Sequence, residues 1–203
     1  MLIGKVNVNS LVFYEFPYYN KVYIYDEVKR MKKEIKVFEY AAQILENVGK
    51  GVLLTTSDNG KVNTMTIGWG TLGIQWGKPI FIAYVRQSRY TKVLLDKTGE
   101  FTINIPVGEV DSQILRLCGT KSGRDLDKIA QLGLTTVPGT TVAAPGIAQL
   151  PLTLECKVIY QQDQVLEEID PESLSRYYAT GTANEGDFHT AYYGQITAAY
   201  IIE

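Results

Sequence analysis

The chain reads as a mainly β domain with helical insertions, and three observations predict it. Extended apolar runs recur along its 203 residues: GVLLTTS, IFIAYV, EFTINIP and LTLECKVIYQ. The helical stretches between them are too short and scattered for regular βαβ units, which favours an antiparallel barrel. Asp58-Asn59-Gly60 is a turn signal between two such runs, so Lys61 to Gly68 returns as a hairpin. At 45% hydrophobic content the chain can build one good-sized core, and no internal repeat divides it.

The remaining elements follow in order. Phe38, Ala41, Ala42 and Leu45 fall at helical spacing, with Gly49 and Gly51 as a stop. A loop is predicted around Gly70, Gly73 and Gly77, ahead of Pro79. Ser88 caps a helix running through Val93, Leu94 and Leu95 to Gly99. EVDSQILRLCG is another short helix. Gly119 to Leu150 reads as loop with one helical piece at 125–131, and AYYGQITAAYIIE closes the chain as a strand.

The first 30 residues differ. Phe13, Tyr14, Phe16, Tyr18, Tyr19, Tyr23 and Tyr25 crowd together without a helical or strand period. Glu15 and Pro17 interrupt the only apolar stretch, so no signal-peptide core is present. The division is therefore 1–30 and 31–203. Two readings of the first part stand: an extension upstream of a biological start at Met31, or an arm whose aromatics pack on the domain or a partner.

Net charge is −2, so nothing favours nucleic acid globally, although a phosphate site can still be locally positive. Cys118, Cys156 and His189 are too few for a disulfide framework or a Cys/His zinc site. Two reduced, buried thiols are the simpler reading. No apolar run approaches the roughly 18 to 20 residues of a membrane helix. A cytoplasmic protein without membrane association is expected.

The most informative stretch lies between Asn63 and Thr91. NTMTIGWGT packs Thr, Gly and Trp together, and VRQSRYT sets Arg86 and Arg89 beside Ser88 and Thr91 where a strand turns into a helix. Small residues let backbone approach a flat ligand. Hydroxyls, guanidinium groups and free N–H donors at a helix start receive phosphate. Together they point to a phosphorylated, planar cofactor against a β-scaffold. One at a time, each has a structural alternative: a half-buried strand, a core Trp, a helix cap, a solvated arginine.

The series GVLLTTSDNGKVNTMTIGWGT, PIFIAYVRQSRYT, TGEFTINIP, CGTKSGRDLDK and LPLTLECKV, in that order, resembles the flavin reductase-like proteins with an FMN-binding split β-barrel, in particular the flavoredoxin and ferric-reductase-like branch. The resemblance runs from about Phe38 to the C-terminus. It implies an open Greek-key barrel that dimerises, with one FMN per subunit near the interface. It implies that Asn63, Thr64, Thr66, Gly68, Trp69, Gly70 and Thr71 line the ring edge and ribityl chain. Arg86, Ser88, Arg89, Tyr90 and Thr91 would hold the phosphate, which suits the fork geometry of two arginines.

Lys128 in CGTKSGRDLDK is implied to contact cofactor or substrate; its alternative is a solvated lysine after a helix cap at Asp125. Lys121 and Arg124 make this loop attractive to an anionic nicotinamide nucleotide. His189, the only histidine, is implied to orient the nicotinamide or modulate flavin protonation; its alternative is an ordinary loop residue. The implied activity is two half-reactions at one flavin: NAD(P)H gives hydride, and electrons pass to free flavin, a ferric chelate or a small redox protein. No GxGxxG fingerprint is present, so NAD(P)H would bind transiently across the flavin. The alternative function is a non-catalytic FMN-binding or electron-carrier protein.

Overall fold

The computed structural model describes residues 5–8, 11–14, 32–179, 181 and 185–203. Strands β1 (Lys5–Val8) and β2 (Leu11–Tyr14) pair antiparallel as a separate two-stranded unit. Most of the positions that bear on residues 1–30 as an arm or an upstream extension lie outside the described residues.

The body is one antiparallel sheet. In chain order it is built from β3 (Lys32–Glu34), β4 (Val52–Asp58), β5 (Lys61–Ile67), β6 (Gly70–Gln75), β7 (Lys78–Arg86), β8 (Glu100–Ile105), β11 (Leu152–Asp163) and β12 (His189–Ile202). A short pair, β9 (Thr136–Val137) and β10 (Gly146–Ile147), lies apart. Spatially the sheet runs β5-β4-β8-β11-β12-β7-β6, with β3 also on β12. It wraps into a mainly β, Greek-key split barrel.

The alternation of strand side chains explains how it closes on two layers. Val52 and Leu54 of β4, Met65 and Ile67 of β5, Phe101 and Ile103 of β8, Leu154 and Cys156 of β11 and Tyr192 of β12 fill the barrel interior. Intervening residues point outward, where Leu53 meets Ile114 and Cys118 of a covering helix. Buried polar groups on that outer layer satisfy one another. Thr55 donates to Thr64 at 3.0 Å, the Asn104 amide donates to Thr55 and Thr102, and its carbonyl oxygen accepts from the Ile147 N–H. Burial without such partners would be costly.

Among the described residues five α-helices decorate the sheet: α1 (Ala41–Val48), α2 (Tyr90–Thr98), α3 (Ser112–Thr120), α4 (Lys128–Leu132) and α5 (Pro171–Tyr177). Helix α1 follows a 3-10 turn at Val37–Tyr40. It buries Ile44 and Val48, leaving Phe38 and Leu45 each 47% exposed. Its core-facing side is therefore displaced from the Phe38, Ala41, Ala42, Leu45 series. Helix α2 ends at Gly99 in the left-handed region as expected, but its N-cap position is Arg89 and no side chain caps it. Helix α4 starts at Lys128, capped by Asp127 and not Asp125. No helix among the described residues is long and apolar enough to cross a membrane.

The largest departure from expectation is 70–77. It forms strand β6, joined to β7 by a tight turn in which Trp76 and Gly77 both take positive φ. Three glycines suggested a loop because strand propensity penalises them. Packing decides otherwise at Gly70, where an added Cβ would lie 2.5 Å from the buried Phe81 ring. Gly70→Ala should therefore cost about 1–3 kcal/mol of stability through overpacking. A urea melt checks this: the midpoint should fall while the slope stays constant.

Candidate functional site

Two linked hollows open at one end of the barrel, and both are built by strand ends. In the β7–β12 register Arg86 lies directly opposite His189, so antiparallel pairing puts the last residue of one strand beside the first of the other. β5 ends nearby at Ile67, and its continuation carries Gly68 and Trp69 to the same rim.

The first hollow, about 180 Å3, is lined by Met65 to Trp69, Tyr84, Arg86, Arg89 and His189. Its wall is aromatic. The Trp69 ring sits 4.7 Å from the His189 ring and 4.9 Å, edge-on, from Tyr177. Small Gly68 leaves the floor open: an added Cβ would meet nothing closer than a carbonyl at 4.0 Å.

His189 is 7% exposed, and its Nδ1 shares a hydrogen bond of 2.7 Å with the Tyr178 hydroxyl. Burial pushes its pKa down, and the Arg86 guanidinium adds to that against the opposing Asp187 carboxylate, bringing it to about 4. The ring is neutral near pH 7. The final strand begins at His189, so this residue is part of the sheet.

The second hollow, about 110 Å3, lies at the start of α2 and shares Met65 and Arg89 with the first. Its lining brings together four cations, Arg89, Lys121, Arg124 and Lys128, with Ser88, Tyr90, Thr91 and Ser122, and among the described residues it includes no carboxylate. Arg124 spans the pocket rim, donating to the Ser88 carbonyl and stacking over the Tyr90 ring at 5.2 Å. Lys128 is buried, donates to the Lys121 carbonyl at 3.2 Å, and has its pKa lowered by burial. Neighbouring Cys118 forms part of the wall. Burial pushes its thiol up to about 11 despite the Lys128 charge, so it is protonated and a poor nucleophile.

The predicted phosphate set divides. Ser88, Arg89, Tyr90 and Thr91 surround the cationic hollow, whereas Arg86 does not line it. The Arg86 guanidinium instead donates to the Asp187 and Tyr177 carbonyls and lines the aromatic hollow. Ser88 lines the hollow, but its N–H and hydroxyl both donate to the Asp187 carboxylate, at 2.8 and 2.7 Å. The Thr91 hydroxyl is 2.8 Å from the Asn63 amide nitrogen, which donates to it.

The predicted ring-edge set divides by the pleat of β5. Asn63 faces α2. Thr64 turns to Thr55 and the Leu54 carbonyl inside the sheet. The Thr66 hydroxyl donates to the Leu115 carbonyl of α3 at 2.7 Å, although Thr66 also borders the aromatic hollow. Gly68 and Trp69 belong to the hollow. Gly70 and Thr71 lie further along β6, where Gly70 accommodates Phe81 and Thr71 approaches the Tyr84 hydroxyl.

Lys121 and Arg124, which the sequence offered to an anionic nicotinamide nucleotide, and Ser122, to which it gave no role, are drawn into the cationic hollow by the loop before α4. One signal was Gly123, where an added Cβ would meet Asn63 Oδ1 at 2.0 Å, so a larger residue would have to displace the Asn63 amide for this loop to close on β5.

The flavin reductase like domain family matches residues 45–203, most of the chain. The chain belongs to that family. The flavoredoxin of Desulfovibrio vulgaris (Miyazaki F) is 27% identical, with 75% of this chain and 69% of that chain covered and a TM-score of 0.56. The flavoredoxin from Methanosarcina acetivorans is 25% identical, covering 75% and 68%, with a TM-score of 0.55. An uncharacterized protein of Archaeoglobus fulgidus is 31% identical over 99 residues, which is 49% of this chain and 55% of that protein. The match thus spans about half the length of that relative.

The His189 environment makes stability pH-dependent with a definite sign. Its folded pKa lies below the unfolded value of 6.5, so protonation favours the unfolded chain. The contribution is fully present above pH 6.5 and is lost as pH falls towards about 4, by up to about 3 kcal/mol. His189→Gln should flatten that slope in urea melts taken at about pH 7.5 and about pH 4.5.

Proposed function

We propose that this family member is an FMN-binding oxidoreductase that passes electrons from NAD(P)H to a flavin, a ferric chelate or a small redox protein. The observation that carries the reading is the cationic hollow at the start of α2, joined through Arg89 to an aromatic hollow at the barrel rim. The flavoredoxins among the similar structures agree with it.

The donor set fits FMN. A phosphate dianion needs several charge-assisted donors at once, and Arg89, Lys121, Arg124 and Lys128 supply them, with no carboxylate among the described lining residues. Free N–H groups at the start of a nine-residue helix add to the positive potential. Met65, Gly68, Trp69 and Tyr84 offer the flat, apolar walls an isoalloxazine needs. Bound there, FMN would supply hydride acceptance and one- or two-electron release.

The chain's own residues bind and orient. Arg89 borders both hollows and would set the distance between phosphate and ring. Neutral His189, steadied by Tyr178 and Trp69, presents an uncharged imidazole to the aromatic hollow. Arg86 ties the Tyr177 and Asp187 carbonyls to the rim and so positions this wall. The reading includes a homodimer, supported by Ile74 and Trp76, which stand 69% and 65% exposed on the β6–β7 hairpin.

The test is spectroscopic. Purified protein should bind FMN and bleach anaerobically with NADH or NADPH; bleaching only with dithionite would mark a carrier instead. Arg89→Ala should weaken FMN binding about tenfold or more, the loss of one charge-assisted contact, while thermal unfolding stays unchanged. Unaltered FMN affinity in that variant would remove Arg89 from the site.

A further inference from the structure

The end of the β11–β12 ladder carries a chain of hydrogen bonds that fixes where the histidine proton sits. Beyond the Asp163–Thr190 pair the Gln164 N–H donates to the His189 carbonyl at 2.9 Å, which brings these two residues side by side. The Gln164 side chain engages the same neighbour. Its Oε1 accepts from the His189 backbone N–H at 3.1 Å and from the hydroxyl of Tyr178, just after α5, at 2.7 Å. That hydroxyl also lies 2.7 Å from His189 Nδ1. Tyr178 and His189 are both buried, so solvent has little access to these bonds.

Donor and acceptor roles along this chain follow from its backbone end. A backbone N–H can only donate, so the Gln164 atom facing it is the amide oxygen and not the nitrogen. That oxygen can only accept, so the single Tyr178 hydroxyl proton points at it. The hydroxyl then has only lone pairs left for His189, and Nδ1 carries the hydrogen between them. An imidazole turned over would set a carbon 2.7 Å from the hydroxyl oxygen, well inside van der Waals contact. With Nδ1 protonated and the ring neutral, Nε2 keeps its lone pair. Among the described residues no hydrogen bond engages Nε2, and the ring borders the aromatic hollow.

We propose that Gln164 and Tyr178 are positioning residues that hold the His189 proton on Nδ1, so that Nε2 meets the aromatic hollow as a hydrogen-bond acceptor. Free imidazole in water favours the opposite tautomer, so the chain of bonds gives this wall a polarity the histidine would not adopt by itself. Arg86 and Arg89 in the same lining can only donate. An acceptor beside guanidinium donors suits a flat ring whose edge carries an amide or imide: the N–H matches Nε2, and the carbonyl oxygen matches an arginine. An ester or carboxylate in place of the N–H would set lone pair against lone pair. The ligand class rests on the FMN reading, since the flavin ring carries such an imide and nicotinamide such an amide; the position of the proton does not.

His189 is the only histidine, so long-range 1H–15N spectra of the labelled, tag-free, flavin-free protein read its tautomer directly. At about pH 7.5, where the ring is neutral, the Nδ1–H pattern is expected. Tyr178→Phe keeps the ring that stacks with Arg86 but removes the acceptor, and should move the proton to Nε2. Gln164→Leu frees the Tyr178 proton to point at Nδ1 and should do the same, which covers the case of one variant that folds poorly. A packing role alone would leave the tautomer unmoved. An Nε2–H pattern in the unmutated protein, or Nδ1–H surviving in either folded variant, overturns the assignment. Titration with FMN should then shift the Nε2 resonance upfield, the direction of hydrogen-bond acceptance, if the flavin imide is the donor. A shift only when NAD+ is added to the FMN-bound protein would mark the nicotinamide amide as the donor, and no shift in either arm overturns the acceptor role. Failure to bind FMN would overturn the proposed function and the ligand class with it, and not the tautomer read on the flavin-free protein.

Discussion

The pairing of β7 with β12 is the constraint on which the rest depends. β12 is hydrogen-bonded to β11 on one edge and β7 on the other, so it joins the two halves of the barrel. Its register sets Arg86 opposite His189. Slipping that register by one residue would reverse the face of every side chain on the strand. Tyr192 would then leave the core and His189 would leave the aromatic wall. A site at this rim is thus a consequence of the same ladder that closes the barrel.

Charge accumulates beside it for a separate reason. Helix α2 starts where β7 ends, which puts unsatisfied N–H groups and Arg89 at the rim. The loop 121–128 then closes over them because Gly123 can lie against Asn63. Four cations are brought together in a chain whose net charge is −2, and local geometry produces that concentration of positive potential. Asp187 tempers it from outside by engaging Ser88.

Some of this architecture was legible in the residues. The Asp58-Asn59-Gly60 hairpin, the strands of β7, β8, β11 and β12 and the glycine stop after α2 all follow from local turn chemistry and alternation. Strand β6 was hidden, because three glycines look like loop until Phe81 requires one of them to be small. The α1 face was displaced, because Phe38, Ala41, Ala42 and Leu45 keep helical spacing while Ile44 and Val48 do the packing. Ser88 satisfied the pattern of a cap, yet a carboxylate 99 residues away takes its hydrogen bonds.

The residue order by itself determined that a β-barrel would carry a cluster of hydroxyls and arginines at a strand-to-helix junction, since alternation, turns and short motifs are local properties. Only the tertiary structure decided which of them share a hollow. The pleat of β5 parts Asn63 from Thr64 and Thr66, and bonds to the Tyr177 and Asp187 carbonyls keep Arg86 in the aromatic hollow, which it shares with Arg89, and out of the cationic one. Lys121, Arg124 and Lys128 arrive from more than 30 positions further along the chain. Convergence of that kind depends on long-range packing, which no window of neighbouring residues encodes.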